Sequence, residues 1–181
     1  MTTPRYLERV RFLIIDDNAF TRQLIHRILT QFGAQHVHEA ENGEHGITET
    51  RSFRPDIIIA DWMMSPINGV DFVQWLRESG DSPAPFTPVI MVTAYSNRHN
   101  ITEARDAGIN EFLTKPISAK SLFSRIQSVI EKPRQFVRAK NYFGPDRRRR
   151  DLPHQNHERR DGLQIENDDD YIDIGPKPNS C

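Results

Sequence analysis

Four short segments of strand character in this chain each end in a side chain capable of chemistry. Residues 12–15 run into Asp16 and Asp17, and residues 57–60 run into Asp61. Residues 89–92 run into Thr93 and Ala94, and residues 111–114 into Lys115 and Pro116. Brought to one rim, these would be three carboxylates, a hydroxyl and an ammonium. Three neighbouring carboxylates repel, and at least one proton affinity must rise unless a cation joins them. A hard cation with oxygen ligands suits such a set. Mg2+ takes one or two carboxylates, keeps several waters and accepts a phosphate oxygen. Lys115 would then offset charge on a phosphoryl group, and the Thr93 hydroxyl would donate a hydrogen bond to it. A carboxylate held against a metal and a lysine is a nucleophile able to receive that phosphoryl.

Each residue alone has a plainer reading. Asp17 could cap the helix that follows it. Asp61 could be a turn residue ahead of Pro66 and Gly69, and Lys115-Pro116 a polar turn. Their common placement at successive strand ends favours the chemical reading, because such a motif depends on its context.

The elements that must position them alternate. Strands are predicted at 12–15, 36–40, 56–60, 89–92 and 111–114. The first helix carries Leu24, Ile25, Ile28, Leu29 and Phe32 at helical spacing and ends at Gly33. Further helices are predicted at 43–51, 70–78, 100–107 and 118–132. Gly43 and Gly46 lower the propensity of the second, and Ser118 is the N-cap of the last. Five strand–helix units imply an α/β fold with a parallel sheet covered on both faces. In such sheets, ligands bind beyond the carboxyl ends of the strands.

The chain has 181 residues and a formal net charge of −1, with 36% hydrophobic residues. That suits one domain and an appendage. Residues 1–131 hold 13 basic and 16 acidic groups, and residues 132–181 hold 11 basic and 9 acidic. Neither balance demands nucleic acid or a membrane. The single cysteine, Cys181, permits no internal disulfide and fits a reducing compartment. Residues 1–11 lack the apolar centre of a secretory signal, and no apolar run is long enough to cross a bilayer. A soluble cytoplasmic protein is therefore expected.

The segments FLIIDDN, Asp61 with its sequel WMMSPINGV, Thr93-Ala94 and Lys115-Pro116 together resemble the receiver domain of two-component response regulators, of the CheY type. The resemblance covers about residues 10–132. It implies a flavodoxin-like (βα)5 fold with strand order 2-1-3-4-5. It implies that Asp61 is the phosphoacceptor, served by a histidine kinase or phosphotransfer protein. Asp17 and Asp61 would ligate Mg2+ directly, Asp16 largely through water, and Met63 through its backbone carbonyl. Thr93 and Phe112 would be the switch pair. Thr93 turns toward the phosphoryl, Phe112 rotates inward, and a surface made by 100–107, 111–114 and 118–132 changes for a downstream protein partner. The family often places a proline four residues after the phosphoacceptor. Here Ser65 stands there and Pro66 comes one later, while Gly69 keeps its spacing. Trp62 is expected to shape access to Asp61, with ordinary packing as its plainer reading, and Met64 to pack.

Three segments follow from this: an extension at 1–9, the receiver at 10–132, and a polar, mostly disordered tail at 133–181. The tail contains FVRAKNYFGPDRRRR, read as a docking motif for a protein partner, with packing of Phe136 and Tyr142 back onto the receiver as the rival. Arg147–Arg150 could contact phosphates, which makes nucleic-acid binding the alternative output. A solvated charged run is the more ordinary reading. The histidines read as surface or packing residues. An aspartyl phosphatase would share the topology but requires an acid two residues after its nucleophile, where Met63 stands. The chain is therefore expected to be a switch without an independent substrate.

Overall fold

The structure, a computed structural model, describes residues 5–94, 105–139, 142–146 and 172–173. Five strands form the central sheet: β1 (Arg11–Ile15), β2 (His36–Ala40), β3 (Ile57–Asp61), β4 (Val89–Thr93) and β5 (Glu111–Thr114). All neighbours pair in parallel and the order is β2-β1-β3-β4-β5. This is the expected α/β receiver-type architecture. Among the described residues the α-helices are α1 (Ala19–Gln31), α2 (Gly43–Phe53), α3 (Gly69–Glu78) and α4 (Ala119–Glu131). The helix expected at 100–107 lies outside the described residues except for its last turn at Arg105 and Asp106.

Alternation along each strand sorts its side chains into two cores. Phe12, Ile14, Ile57, Ile59, Ile90 and Val92 pack with Ile25, Leu29, Leu122 and Ile126 of α1 and α4. Leu13, Ile15, Ile58, Ala60 and Met91 pack with Phe72, Val73 and Leu76 of α3. Both faces being covered explains why the inner strands β1, β3 and β4 are nearly continuously apolar and buried instead of alternating with polar residues, whereas the edge strand β2 (HVHEA) is half-exposed. Helix starts are set by side-chain caps: Asn18 accepts from Phe20 N and Thr21 N, Asn42 from His45 N, Asn68 from Asp71 N, and Ser118 from Ser121 N. The two glycines that weaken α2 as a helix serve its packing. A Cβ on Gly46 would lie 2.6 Å from Ile15 Cδ1, so a side chain there would displace that buried isoleucine where α2 meets β1.

Two flanking segments extend the core. The turn Arg5–Arg9 puts Leu7 fully into the core on the α1 side. In the segment expected to be tail, residues 136–139 and 142–145 form the antiparallel strands β6 (Phe136–Ala139) and β7 (Tyr142–Pro145). A two-residue strand, β8 (Ile172–Asp173), pairs with β6. Phe136 and Phe143 are buried against each other and against Phe86. The arginine run at 147–150 lies outside the described residues.

Arg77 organises this contact. It is buried at the end of α3. Its guanidinium donates to the carbonyls of Pro85 (2.6 Å), Thr87 (2.8 Å) and Gly108 (3.1 Å) and to Asn110 Oδ1 (3.2 Å). Its charge stands 4.9 Å from the centre of the Phe136 ring. Burial lowers its pKa to about 9, still cationic at neutral pH. The hairpin thus docks at the amino ends of β4 and β5, the edge opposite Asp61, Thr93 and Lys115. Arg77→Ala would strand the buried carbonyls of Thr87 and Gly108 and the part-buried carbonyl of Pro85. It should lower the unfolding free energy by about 3 kcal/mol, measured by urea denaturation of the full chain. A loss under about 1 kcal/mol would show that the loop and hairpin hold without it.

Candidate functional site

The carboxyl ends of β1, β3 and β5 bring four charged side chains together. Ligand oxygens of Asp16, Asp17 and Asp61 all lie within 4.8 Å of one another. Lys115 Nζ lies 2.8 Å from Asp61 Oδ1 and 3.3 Å from Asp16 Oδ2. Asp16 and Asp61 are buried, while Asp17 is exposed. Burial raises the Asp16 pKa, and the Asp61 charge adds to this, against the Asn18 amide and Lys115, which lower it. Burial lowers the Lys115 pKa, but Asp61 and Asp16 outweigh it and hold the ammonium above its ordinary value. Three ionised carboxylates against one ammonium would leave two negative charges, the amount one divalent cation balances. Hard oxygen donors at this spacing fit Mg2+.

Backbone constraints set the cluster. Asp16 N donates to Ala40 O at 3.2 Å, and Asp16 Oδ1 accepts from Asn18 N at 2.8 Å. Trp62 N donates to Val92 O and Gly69 N to Trp62 O, both at 2.9 Å. These bonds fold residues 62–68 back over the end of β3. A Cβ on Gly69 would collide with the Asp61 carbonyl and come within 2.9 Å of Met91 Sδ. The loop after Asp61 can therefore close only on glycine. Thr93 ends β4, is buried, and accepts from Lys115 N through its carbonyl at 2.8 Å. That bond ties the strand end bearing the hydroxyl to the residue bearing the ammonium. Both Lys115–Pro116 and Ser65–Pro66 are cis.

Phe112 lies on β5 opposite Met91 and packs, partly buried, on the core beside α3. Trp62 differs from its expected place. It is 9% exposed and belongs to the core with Met64, because the strand period turns it away from the rim. Met63 instead presents an exposed side chain next to Asp61. The described histidines do not join the acidic cluster. His26 pairs with Glu39, and His38 and His45 with Glu49. Sequence reasoning missed Arg22, whose Nη1 donates to the Asp16 carbonyl at 2.8 Å. Its one signal was a cation in the first turns of the helix that follows the acidic pair.

A doubly wound parallel sheet with this acidic rim, a lysine and a strand-end hydroxyl is the arrangement that the receiver resemblance implies. The family profile described as "Response regulator receiver domain" matches residues 12–127, and the chain belongs to that family. It is 32% identical over 123 residues to the chemotaxis protein CheY of Pseudomonas aeruginosa, covering 68% of this chain and 98% of that one. To CheY-3 of Vibrio cholerae it is 28% identical over 125 residues, covering 69% and 95%. Among solved structures, V. cholerae CheY4 superposes with a TM-score of 0.62 at 28% identity, covering 66% of this chain and 98% of that one. CheY in a CheX–CheY–BeF3–Mg2+ complex from Borrelia burgdorferi gives 0.61 at 25% identity, covering 67% and 89%. The protein is thus a CheY-like receiver that functions in two-component signalling. No described helix is long and apolar enough to cross a membrane.

Gly69→Ala should lower stability by about 2 kcal/mol through this backbone collision. Thermal unfolding of the variant against the native chain measures it, and an unchanged midpoint would mean the 62–68 loop has room to move.

Proposed function

We propose that the chain is a phosphorylation-controlled switch that accepts a phosphoryl group on Asp61 from a histidine kinase or phosphotransfer protein. The observation that carries this reading is the meeting of Asp61 with Lys115 at 2.8 Å inside the three-carboxylate cluster. An Asp61 carboxylate oxygen would attack phosphorus in line, the donor's phosphorus–nitrogen or phosphorus–oxygen bond would break, and the donor would leave with that bond's electron pair. Lys115 would hold an equatorial phosphoryl oxygen and the Thr93 hydroxyl another, stabilising charge where it develops. Asp17 and Asp61, with the Met63 carbonyl, would hold Mg2+ directly and Asp16 largely through water. When bound, that ion neutralises charge on the rim and on the phosphoryl.

The product, an acyl phosphate, adds negative charge beside Thr93. Thr93 turning toward it would leave space into which Phe112 rotates, biasing the surface of the 100–107 segment, whose residues 100–104 lie outside the described ones, with β5 and α4 toward a downstream protein partner. Water then hydrolyses the acyl phosphate and resets the switch, so the protein assists its own phosphorylation and dephosphorylation without an independent substrate. A cytoplasmic setting is part of this reading, since the phosphodonor proteins and Mg2+ act there.

Incubation of the full chain with Mg2+ and acetyl phosphate, followed by intact mass, tests it. One added phosphoryl group is expected on the native chain, none on Asp61→Asn, and none after chelation of Mg2+. No addition to a folded, Mg2+-saturated native chain would overturn the reading.

A further inference from the structure

Asp16 is held from every side: its amide by Ala40, and its carboxylate by Asn18 N and Lys115. Asp17 is not. Its side chain is exposed, and among the described residues no side chain holds its carboxylate. Where that carboxylate stands therefore depends on its backbone. The backbone is held by Arg22, three residues into α1. Arg22 Nη1 donates to the carbonyl of Asp16 at 2.8 Å and leans on that of Asp17 at 3.4 Å.

The guanidinium is itself fixed. Its Nε donates to Glu39 Oε2 at 3.3 Å, and the other Glu39 oxygen lies 2.7 Å from His26 Nδ1. Glu39 precedes Ala40, whose carbonyl accepts from Asp16 N. One fork thus spans from the edge strand β2 to the β1–α1 loop. The Arg22 side chain is only 17% exposed. A planar guanidinium suits this task, because its donors have fixed relative directions that an ammonium lacks.

We propose that Arg22 is a positioning residue for the cation site, holding the Asp16–Asp17 backbone so that the Asp17 carboxylate stays within reach of Asp16 and Asp61. The inference rests on the rim being a divalent-cation site. Its sign separates it from simple electrostatics. A cationic side chain beside a cation site repels the ion, so removing it should tighten binding. Removing a positioning residue should loosen binding instead, as loss of outer-shell partners does at metal sites.

Full-length native chain, Arg22→Ala and Arg22→Lys are titrated with Mg2+ and followed by tryptophan emission, Trp62 being the chain neighbour of Asp61. Circular dichroism establishes that each is folded. The expected result is an Mg2+ dissociation constant raised about tenfold by Arg22→Ala, with Arg22→Lys also weaker than native although its charge is kept. If the alanine variant does not fold, the lysine variant carries the comparison. Affinity equal to native or tighter in a folded variant overturns the inference while leaving the cation site standing. A folded native chain that takes up no Mg2+, checked by calorimetry, overturns the cation reading and the inference with it.

Discussion

Two buried carboxylates share one ammonium at the carboxyl edge of the sheet, and much of the structure follows from keeping them there. Asp16 and Asp61 follow one paired position in adjacent parallel strands, which sets their side chains beside each other on one face. Like charges in a poorly solvated place cost free energy. Lys115, reaching from β5 across the end of β4, offsets part of it, and burial still raises the Asp16 pKa. The rim thus remains short of positive charge. A divalent cation and a transferred phosphoryl group are chemically matched to that deficit, one after the other. The cluster exists because the sheet is parallel and ordered as it is. An antiparallel sheet would scatter the same four strand ends over both edges.

The opposite edge is built on a different balance. There the buried charge is Arg77, and its described hydrogen-bond partners are three main-chain carbonyls and an amide oxygen. It gathers the loop before β4, the turn at Gly108 and the Phe136 ring into one packed unit. Glu111, buried at the start of β5, adds a second tie. It faces Arg125 of α4 at 3.2 Å and Arg134, just before the hairpin, at 3.6 Å. The hairpin is therefore anchored on elements that also carry the proposed switching surface. The curated relatives match about two thirds of this chain, and the hairpin lies beyond the residues of the receiver profile.

Much of this was legible from residue order. Short continuous apolar runs separated by period-3.6 patterns point to a parallel α/β sheet, because that arrangement buries strands on both faces and still connects them. Reading the polar residue after each run then picks out Asp16, Asp17, Asp61, Thr93 and Lys115. Gly69 was visible as a spacing but not as a necessity. Its need appears only when the loop brings its Cα against the Asp61 carbonyl and Met91. Trp62 shows the limit of adjacency in sequence, since a neighbour along a strand points to the other face.

What the sequence determined by itself was therefore local: which segments are strands or helices, where they stop, and which chemically capable side chains stand at their ends. Contacts between distant segments were decided only by the tertiary structure. The Arg22 hold on the Asp16–Asp17 carbonyls, its fixing by Glu39, the buried Arg77 and the docking of Phe136 and Phe143 on Phe86 all join residues from different elements. Such pairings depend on main-chain carbonyls that every residue carries alike, and on ring packing that has no period. Composition and spacing offer such residues, a cation early in α1 or an aromatic at 136, but do not name their partners until the chain has folded.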